Sequence, residues 1–128
     1  MTGKDVLGFR NWLVVGDVLN KKKYAHRIVN RLKSENYVVY QLNPVKKNEG
    51  IYNDFKSLLS ADAHIDIIDL VISPRIGLGI LKEAAEYGIK RVLIQPGAES
   101  TEIIEFCKQN EFEFLESCIL RELNNKEL

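Results

Sequence analysis

Short apolar runs alternate with segments of helical period along the whole chain. The runs are rich in β-branched or aromatic residues, and the first four are apolar at nearly every position, which is typical of strands that helices cover on both faces. They are WLVVG (12–16), YVVYQL (37–42), DIIDLVI (66–72), RVLIQ (91–95) and FEFLE (112–116). Residues 51–61 add a very short strand and a short helix, so the pattern predicts a sheet of about five to six strands.

The segments between the strands place their apolar residues on one helical face. In residues 24–35, Ile28 and Leu32 share a face from which the arginines and lysines point away. Gly88 closes a second such segment as a left-handed cap, and Ser100 opens a third as an N-cap. Strand and helix alternate throughout, which predicts an α/β domain with a mostly parallel sheet and right-handed crossovers.

Composition narrows the classes of function. The 128 residues include 18 basic and 18 acidic side chains, so net charge favours neither a nucleic-acid nor a membrane partner. No apolar run approaches the roughly 18 residues that span a bilayer, and the N-terminus lacks the layout of a signal peptide. We therefore expect a single cytoplasmic domain over residues 1–128, with a poorly ordered tail after about residue 122.

The residue types that usually carry chemistry are scattered. Cys107 and Cys118 lack a CxxC or metal-ligand spacing, and in a reducing compartment such thiols are more often buried hydrophobic side chains. His26 and His64 lie far apart, and no nucleophile elbow or P-loop is present. The sequence therefore predicts no metal site and favours a binding module without catalytic activity of its own.

In parallel α/β sheets, ligands bind outside the carboxyl ends of the strands, where the strand order reverses. Four loops of unusual composition lie at such ends. They hold Gly16 with the lysines at 21–23, QLNP (41–44), ISPR (72–75) and QPGAES (95–100). We expect Gly16, Asn43, Ser73 and Gln95 to converge at the carboxyl end of the sheet, because all four lie where parallel strands end.

The loop after Gly16 is the candidate phosphate site. Its lysines at 21–23 stand just before the predicted helix 24–35, where the helix dipole and the free N–H groups favour an anion. This helix should begin at the mouth of the ligand cleft. The alternative is a solvated charged turn that follows a glycine at which the chain merely bends, and composition alone leaves both interpretations open.

The loop after the second strand argues against NAD as the ligand. A fold that binds NAD carries Asp or Glu there to bond the ribose, together with a glycine fingerprint. This chain has Asn43 and Pro44 instead, followed by Lys46 and Lys47. A neutral side chain tolerates a ribose that carries a phosphate, although Asn-Pro is also an ordinary turn. An NAD(P)-linked oxidoreductase is therefore the weaker alternative.

The QPGAES loop supplies a polar group and a tight turn. Pro96 and Gly97 predict the turn, and the glycine lets backbone approach a ligand closely. Gln95 stands at the strand end, where its amide would point into the cleft unless it bonds neighbouring loop backbone.

These loops follow the order of a known family pattern. Without a gap, the pattern's glycine, asparagine, basic residue and helix arginine fall on Gly16, Asn20, Lys23 and Arg27. Its other motifs match YVVYQLNP (37–44), Gly50 with Tyr52, KSL (56–58), RVLIQPGAESTEIIEFC (91–107) and Cys118. From about residue 7 to about residue 122, the chain resembles the small CoA-binding proteins of the Rossmann-like CoA-binding domain family. That family shares the fold of the nucleotide-binding part of the succinyl-CoA synthetase α subunit.

The resemblance implies a Rossmann-like three-layer sandwich and a cytoplasmic protein that binds coenzyme A or acyl-CoA without a reaction of its own. A small nucleotide is then the expected partner. Together with the argument from strand ends, the resemblance predicts these cofactor-binding residues: Gly16, Asp17, Val18, Asn20, Lys23, Arg27, Asn43, Pro44, Ser73, Gln95 and Gly97.

The chain also departs from the family pattern. Asp17 and Val18 replace an alanine and a serine, and Ala25 replaces a serine at the helix start. Two hydroxyl groups that could bond phosphate are lost, and Asp17 adds a negative charge near the place of a pyrophosphate. The alternative function is therefore that of a degenerate member that has lost the ligand and acts as an interaction or regulatory protein.

Overall fold

The computed structural model describes residues 1–17, 23–45 and 50–126. In this part of the chain, the strands are β1 (Asn11–Gly16), β2 (Val38–Leu42), β3 (Ile67–Val71), β4 (Arg91–Ile94) and β5 (Glu113–Glu116). They form one sheet in the order β2-β1-β3-β4-β5, and every neighbouring pair is parallel. A parallel bridge between Leu42 and Tyr52 stands where the sequence predicts a very short strand.

Helices connect the strands, and local sequence explains where several of them start. They are α1 (Gly3–Leu7), α2 (Tyr24–Ser34), α3 (Phe55–Ser60), α4 (Pro74–Glu86), α5 (Thr101–Gln109) and α6 (Ile119–Asn125). The side chain of Asp54 caps α3 and that of Ser100 caps α5, each by accepting a hydrogen bond from a backbone N–H. Pro74 opens α4, because proline suits the first helical turn.

The sheet separates two hydrophobic cores. One face packs on α3, α4 and α5, and the other packs on α1, α2 and α6. Alternation along β1 sends Leu13 and Val15 into the first core and Trp12 and Val14 into the second. All four side chains are fully buried. The three-layer α/β sandwich predicted from the sequence is therefore confirmed, with a sheet of five parallel strands in the described residues.

Two features differ from the sequence-based expectation. Strand β2 lies at the sheet edge and Val38 is 40% exposed, so helices do not cover this strand completely on both faces. Helix α6 extends beyond residue 122, because two contacts hold its end. Leu123 is buried in the second core, and Arg31 of α2 donates a hydrogen bond to Oδ1 of Asn124. The tail expected to be poorly ordered is thus helical as far as Asn125.

The strand order reverses between β1 and β3, which is where ligands bind in this class of sheet. Gly16 ends β1, and Asn43, Ser73 and Gln95 follow β2, β3 and β4. Since all these strands are parallel, the four residues meet at the carboxyl end of the sheet, as the sequence predicts.

Candidate functional site

A cavity of about 440 Å³ opens at the carboxyl ends of β1, β2 and β3. It lies at the reversal of strand order, and we call it the first cavity. Its lining residues are Asp17, Lys23, Tyr24, Ala25, Asn43, Val45, Val71, Ile72, Ser73 and Ile76. Most of the lining is apolar, while polar groups enter it from the strand ends and from the start of α2, an arrangement common in small-molecule sites.

The start of α2 faces the first cavity. Lys23 is the N-cap residue, and its extended backbone (φ −97°, ψ 152°) leads directly into the helix. The side chain of Lys23 makes no cap hydrogen bond to the first turn of α2. The N–H groups of that turn and the exposed Lys23 therefore offer positive charge at the cavity wall, as an anionic ligand requires.

Asp17 brings a negative charge to the same cavity. The residue is half-buried directly after β1, and one carboxylate oxygen, Oδ1, is buried without a hydrogen-bond partner in the described part of the chain. A buried carboxylate oxygen without a partner is costly, so this atom marks a place where a donor group could bind.

Asn43 forms the side of the first cavity next to β2. It is 3% exposed, and its Oδ1 accepts a hydrogen bond from the backbone N–H of Val45 at 3.0 Å. Its carbonyl oxygen accepts from Nδ2 of Asn53 at 2.8 Å, and its own N–H donates to Tyr52 at 2.9 Å. These contacts hold a neutral side chain where NAD-binding folds carry an acid.

Gly16 is required by the close packing of β1 against β3. A Cβ atom at this position would lie 2.4 Å from the carbonyl oxygen of Val71 and 3.2 Å from Cβ of Ala25. Both Val71 and Ala25 line the first cavity. Glycine is therefore needed here for β1 to pack against β3 and for the shape of the cavity wall, and not only to let the chain bend.

A second cavity of about 280 Å³ adjoins the first on the side of β4 and α6. Tyr24 and Val71 line both cavities. The remaining residues of the second cavity are Gln95, Pro96, Cys118 and Arg121. The carboxyl end of the sheet thus carries several neighbouring cavities, and a third of about 210 Å³ shares Pro96, Cys118 and Arg121 with the second.

Beneath the second cavity lies a buried pair formed by Asp69 and Gln95. Nε2 of Gln95 donates to Oδ1 of Asp69 at 2.8 Å, and Asp69 is fully buried in the middle of β3. Its other oxygen, Oδ2, is buried without a partner among the described residues. Burial raises the pKa of Asp69 to about 7, although the hydrogen bond from Gln95 acts in the opposite direction.

The structure brings only some of the predicted site residues together. Asp17, Lys23, Asn43 and Ser73 line the first cavity, Gly16 borders it and Gln95 lines the second. Arg27 stacks its guanidinium 5.2 Å from the ring of Tyr24, whereas Pro44 and Gly97 (φ 93°) line neither cavity. Val18, Asn20 and the lysines at 21, 22, 46 and 47 lie outside the described residues.

Sequence reasoning missed several lining residues. Tyr24, Val71 and Ile76 line the first cavity because of how the helices pack on the sheet, and no sequence motif marks them. Asp69 did leave a signal, because a charged residue in the middle of an apolar strand has no route to water.

Neither a membrane span nor a metal cluster is present in the described ranges. No helix there is long and apolar enough to cross a bilayer. No three or more His, Cys, Asp or Glu side chains in these ranges lie where they could hold a metal ion together.

Comparison with known proteins gives a family match and several similar folds. A family model described as a CoA binding domain matches residues 10–124. No curated protein matches the chain. A conserved hypothetical protein from Pyrococcus furiosus is 36% identical, with a TM-score of 0.77 over 89% of this chain and 99% of that chain.

Two further solved structures share the fold at lower identity. A hypothetical protein from Pyrococcus horikoshii OT3 is 21% identical, with a TM-score of 0.80 over 95% of this chain and 89% of that chain. A protein from Thermus thermophilus is 18% identical, with a TM-score of 0.76 over 97% of this chain and 98% of that chain.

Proposed function

Because the chain belongs to the CoA binding domain family, we propose that it binds coenzyme A or acyl-CoA in the first cavity. The observation that supports this most directly is the placing of the cavity, which lies at the reversal of strand order and against the start of α2. The proposed contacts are the N–H groups of the first turn and Lys23 to phosphate, with Asn43 beside the ribose.

In this proposal the protein is a cytoplasmic CoA-binding protein without a reaction of its own. The first cavity offers one anion-attracting wall and an apolar wall formed by Val71, Ile72 and Ile76. Such a lining can hold a nucleotide by charge at one wall and by apolar contact at the other.

Ligand preference tests the proposal. CoA should bind about ten- to a hundredfold more tightly than dephospho-CoA, because a charge-assisted contact to the 3′-phosphate contributes about 1.5–3 kcal/mol. NAD should bind more weakly than either, since Asn43 offers no carboxylate to the ribose hydroxyls. The measurement is a thermal shift series with the three compounds. Equal shifts for CoA and dephospho-CoA would contradict the role given to the phosphate contact.

Lys23→Ala should weaken CoA binding by about tenfold, because one charge-assisted contact to phosphate is lost. Lys33→Ala is the matched control, since Lys33 is an exposed lysine in the last turn of the same helix, remote from the cavity. The two variants lose the same charge. Equal effects on CoA affinity would show that Lys23 acts through net charge alone, and not through a contact at the cavity.

One observation favours the alternative of a member that has lost its ligand. Asp17 directs a carboxylate into the first cavity, where a phosphate would meet its negative charge. This repulsion weakens binding unless Lys23 or the lysines outside the described residues offset it. A chain that gives no thermal shift with any CoA compound would fit this alternative.

Asp17→Asn tests whether the charge of Asp17 weakens CoA binding, as the alternative of a member that has lost its ligand requires. The substitution keeps the shape of the side chain and removes its charge, so CoA affinity should rise by roughly fivefold, or about 1 kcal/mol. Asp62→Asn is the control, because Asp62 is exposed in the turn that leads into β3. Its φ of 59° suits asparagine equally well. Unchanged CoA affinity in Asp17→Asn would remove Asp17 as the cause of weak binding.

A further inference from the structure

The two cavities lie side by side at the carboxyl ends of the strands. They meet along Tyr24 and Val71, and the second extends past β4 to Cys118, which follows β5. Two strand spacings, about 10 Å, separate β3 from β5. If the proposed ligand places its phosphates against α2, its pantetheine arm is long enough to cross this distance and ends in a thiol.

Gln95 brings a hydrogen-bond acceptor to the wall of the second cavity. Gln95 is 4% exposed, and among the described residues the recorded partner of its side chain is Asp69, which takes the Nε2 donor. This contact fixes the orientation of the amide, so Oε1 is left as an acceptor at the cavity wall. An accessible amide oxygen can accept a hydrogen bond from a ligand, and the pantetheine arm carries two amide N–H groups.

The two cysteines of the chain differ in solvent exposure. Cys118 is half-buried and lines the second cavity beside Arg121. Cys107 is fully buried in the first core, where burial raises the pKa of its thiol to about 11. A ligand in the second cavity can therefore reach Cys118 and not Cys107.

We propose that the second cavity holds the pantetheine arm of the ligand, and that Cys118 forms a mixed disulfide with the thiol at its end. This inference rests on the proposed binding of CoA. The reactant is a CoA disulfide, whose nucleotide occupies the first cavity. The Cys118 thiolate attacks the nearer sulfur of the disulfide, the old S–S bond breaks, and a Cys118–CoA disulfide forms. The second CoA leaves as a thiolate and takes up a proton, so no further oxidant is needed.

Mass spectrometry of the intact chain tests this, with peptide mapping to locate the adduct. CoA disulfide should modify the protein at Cys118, and at least about tenfold faster than pantethine, the disulfide that lacks the nucleotide, at equal concentration. Cys118→Ala should abolish the adduct and Cys107→Ala should retain it. Mapping on the unaltered chain keeps the test independent of how well either variant folds.

The outcomes separate this inference from the proposed function. If CoA raises the melting temperature while Cys118 stays unmodified, the covalent inference is wrong and the binding proposal stands. Equal rates with CoA disulfide and pantethine, or an adduct on Cys107, would likewise overturn it. If CoA causes no thermal shift and no adduct forms, both proposals fail together.

Discussion

Replacing Asp69 with asparagine should flatten the dependence of stability on pH between about pH 5 and about pH 8. Burial raises the pKa of Asp69 from 3.8 to about 7. The folded chain therefore holds a proton that the unfolded chain releases, and stability falls as the pH rises through this window. The loss should be about 2–3 kcal/mol between these two pH values, since one pKa unit corresponds to about 1.4 kcal/mol.

The measurement is chemical unfolding of both chains over that pH range. In Asp69→Asn the neutral amide can still accept the hydrogen bond from Gln95, so the variant should be more stable than the unaltered chain at the upper end of the range. Val14 and Leu93 pair with Asp69 on the neighbouring strands and do not titrate. Parallel curves for the two chains would mean that Asp69 does not ionise in this range.

Asp54→Asn is the matched control for the pH series. Hydrogen bonds from Ser57, first from its backbone N–H, lower the pKa of Asp54 below 3.8. A carboxyl with a lowered pKa loses its contribution only as the pH falls through that value. The Asp54→Asn curve should therefore run parallel to that of the unaltered chain above about pH 5, since asparagine caps a helix as well.

Gly16→Ala should destabilise the fold by about 1–3 kcal/mol and also weaken ligand binding. The added Cβ would lie 2.4 Å from the Val71 carbonyl oxygen, which belongs to the backbone and cannot rotate away. Either β1 or β3 must move, and Asp17 and Val71 at their ends both line the first cavity. Denaturant unfolding measures the first effect, and a thermal shift with CoA measures the second.

Gly79→Ala provides the comparison within the same chain. Gly79 lies in α4 and is exposed, and an added Cβ meets no atom within 4 Å. Alanine is the better helix former, so this variant should gain up to about 1 kcal/mol. A Gly16→Ala chain of unchanged stability would show that β1 and β3 are packed more loosely than the structure indicates.

Periodicity made most of the sheet predictable. Runs of apolar residues identified all five strands, and parallel strands bring their carboxyl ends together, which placed Gly16, Asn43, Ser73 and Gln95 correctly. The edge position of β2 could not be predicted in this way, because strand order depends on how the connections cross rather than on local pattern.

The second cavity was beyond sequence reasoning for a physical reason. It combines residues from α2, β3 and α6, and α6 is a short helix without a clear start signal in the sequence. The two aspartates of DIIDLVI show the same limit. Asp66 precedes β3, is half-buried and accepts hydrogen bonds from Asn11, whereas Asp69 within β3 is fully buried with one oxygen unpaired among the described residues. Spacing alone does not distinguish them.

Isothermal titration calorimetry of the full chain with CoA tests directly whether the chain binds this ligand. We expect a single saturable site per chain, with weaker affinity in Lys23→Ala and unchanged affinity in Lys33→Ala. Dephospho-CoA should bind about ten- to a hundredfold more weakly than CoA in the same titration. A chain that gives no saturable binding of CoA, or that binds NAD as tightly as CoA, would contradict the assignment of the first cavity to this ligand.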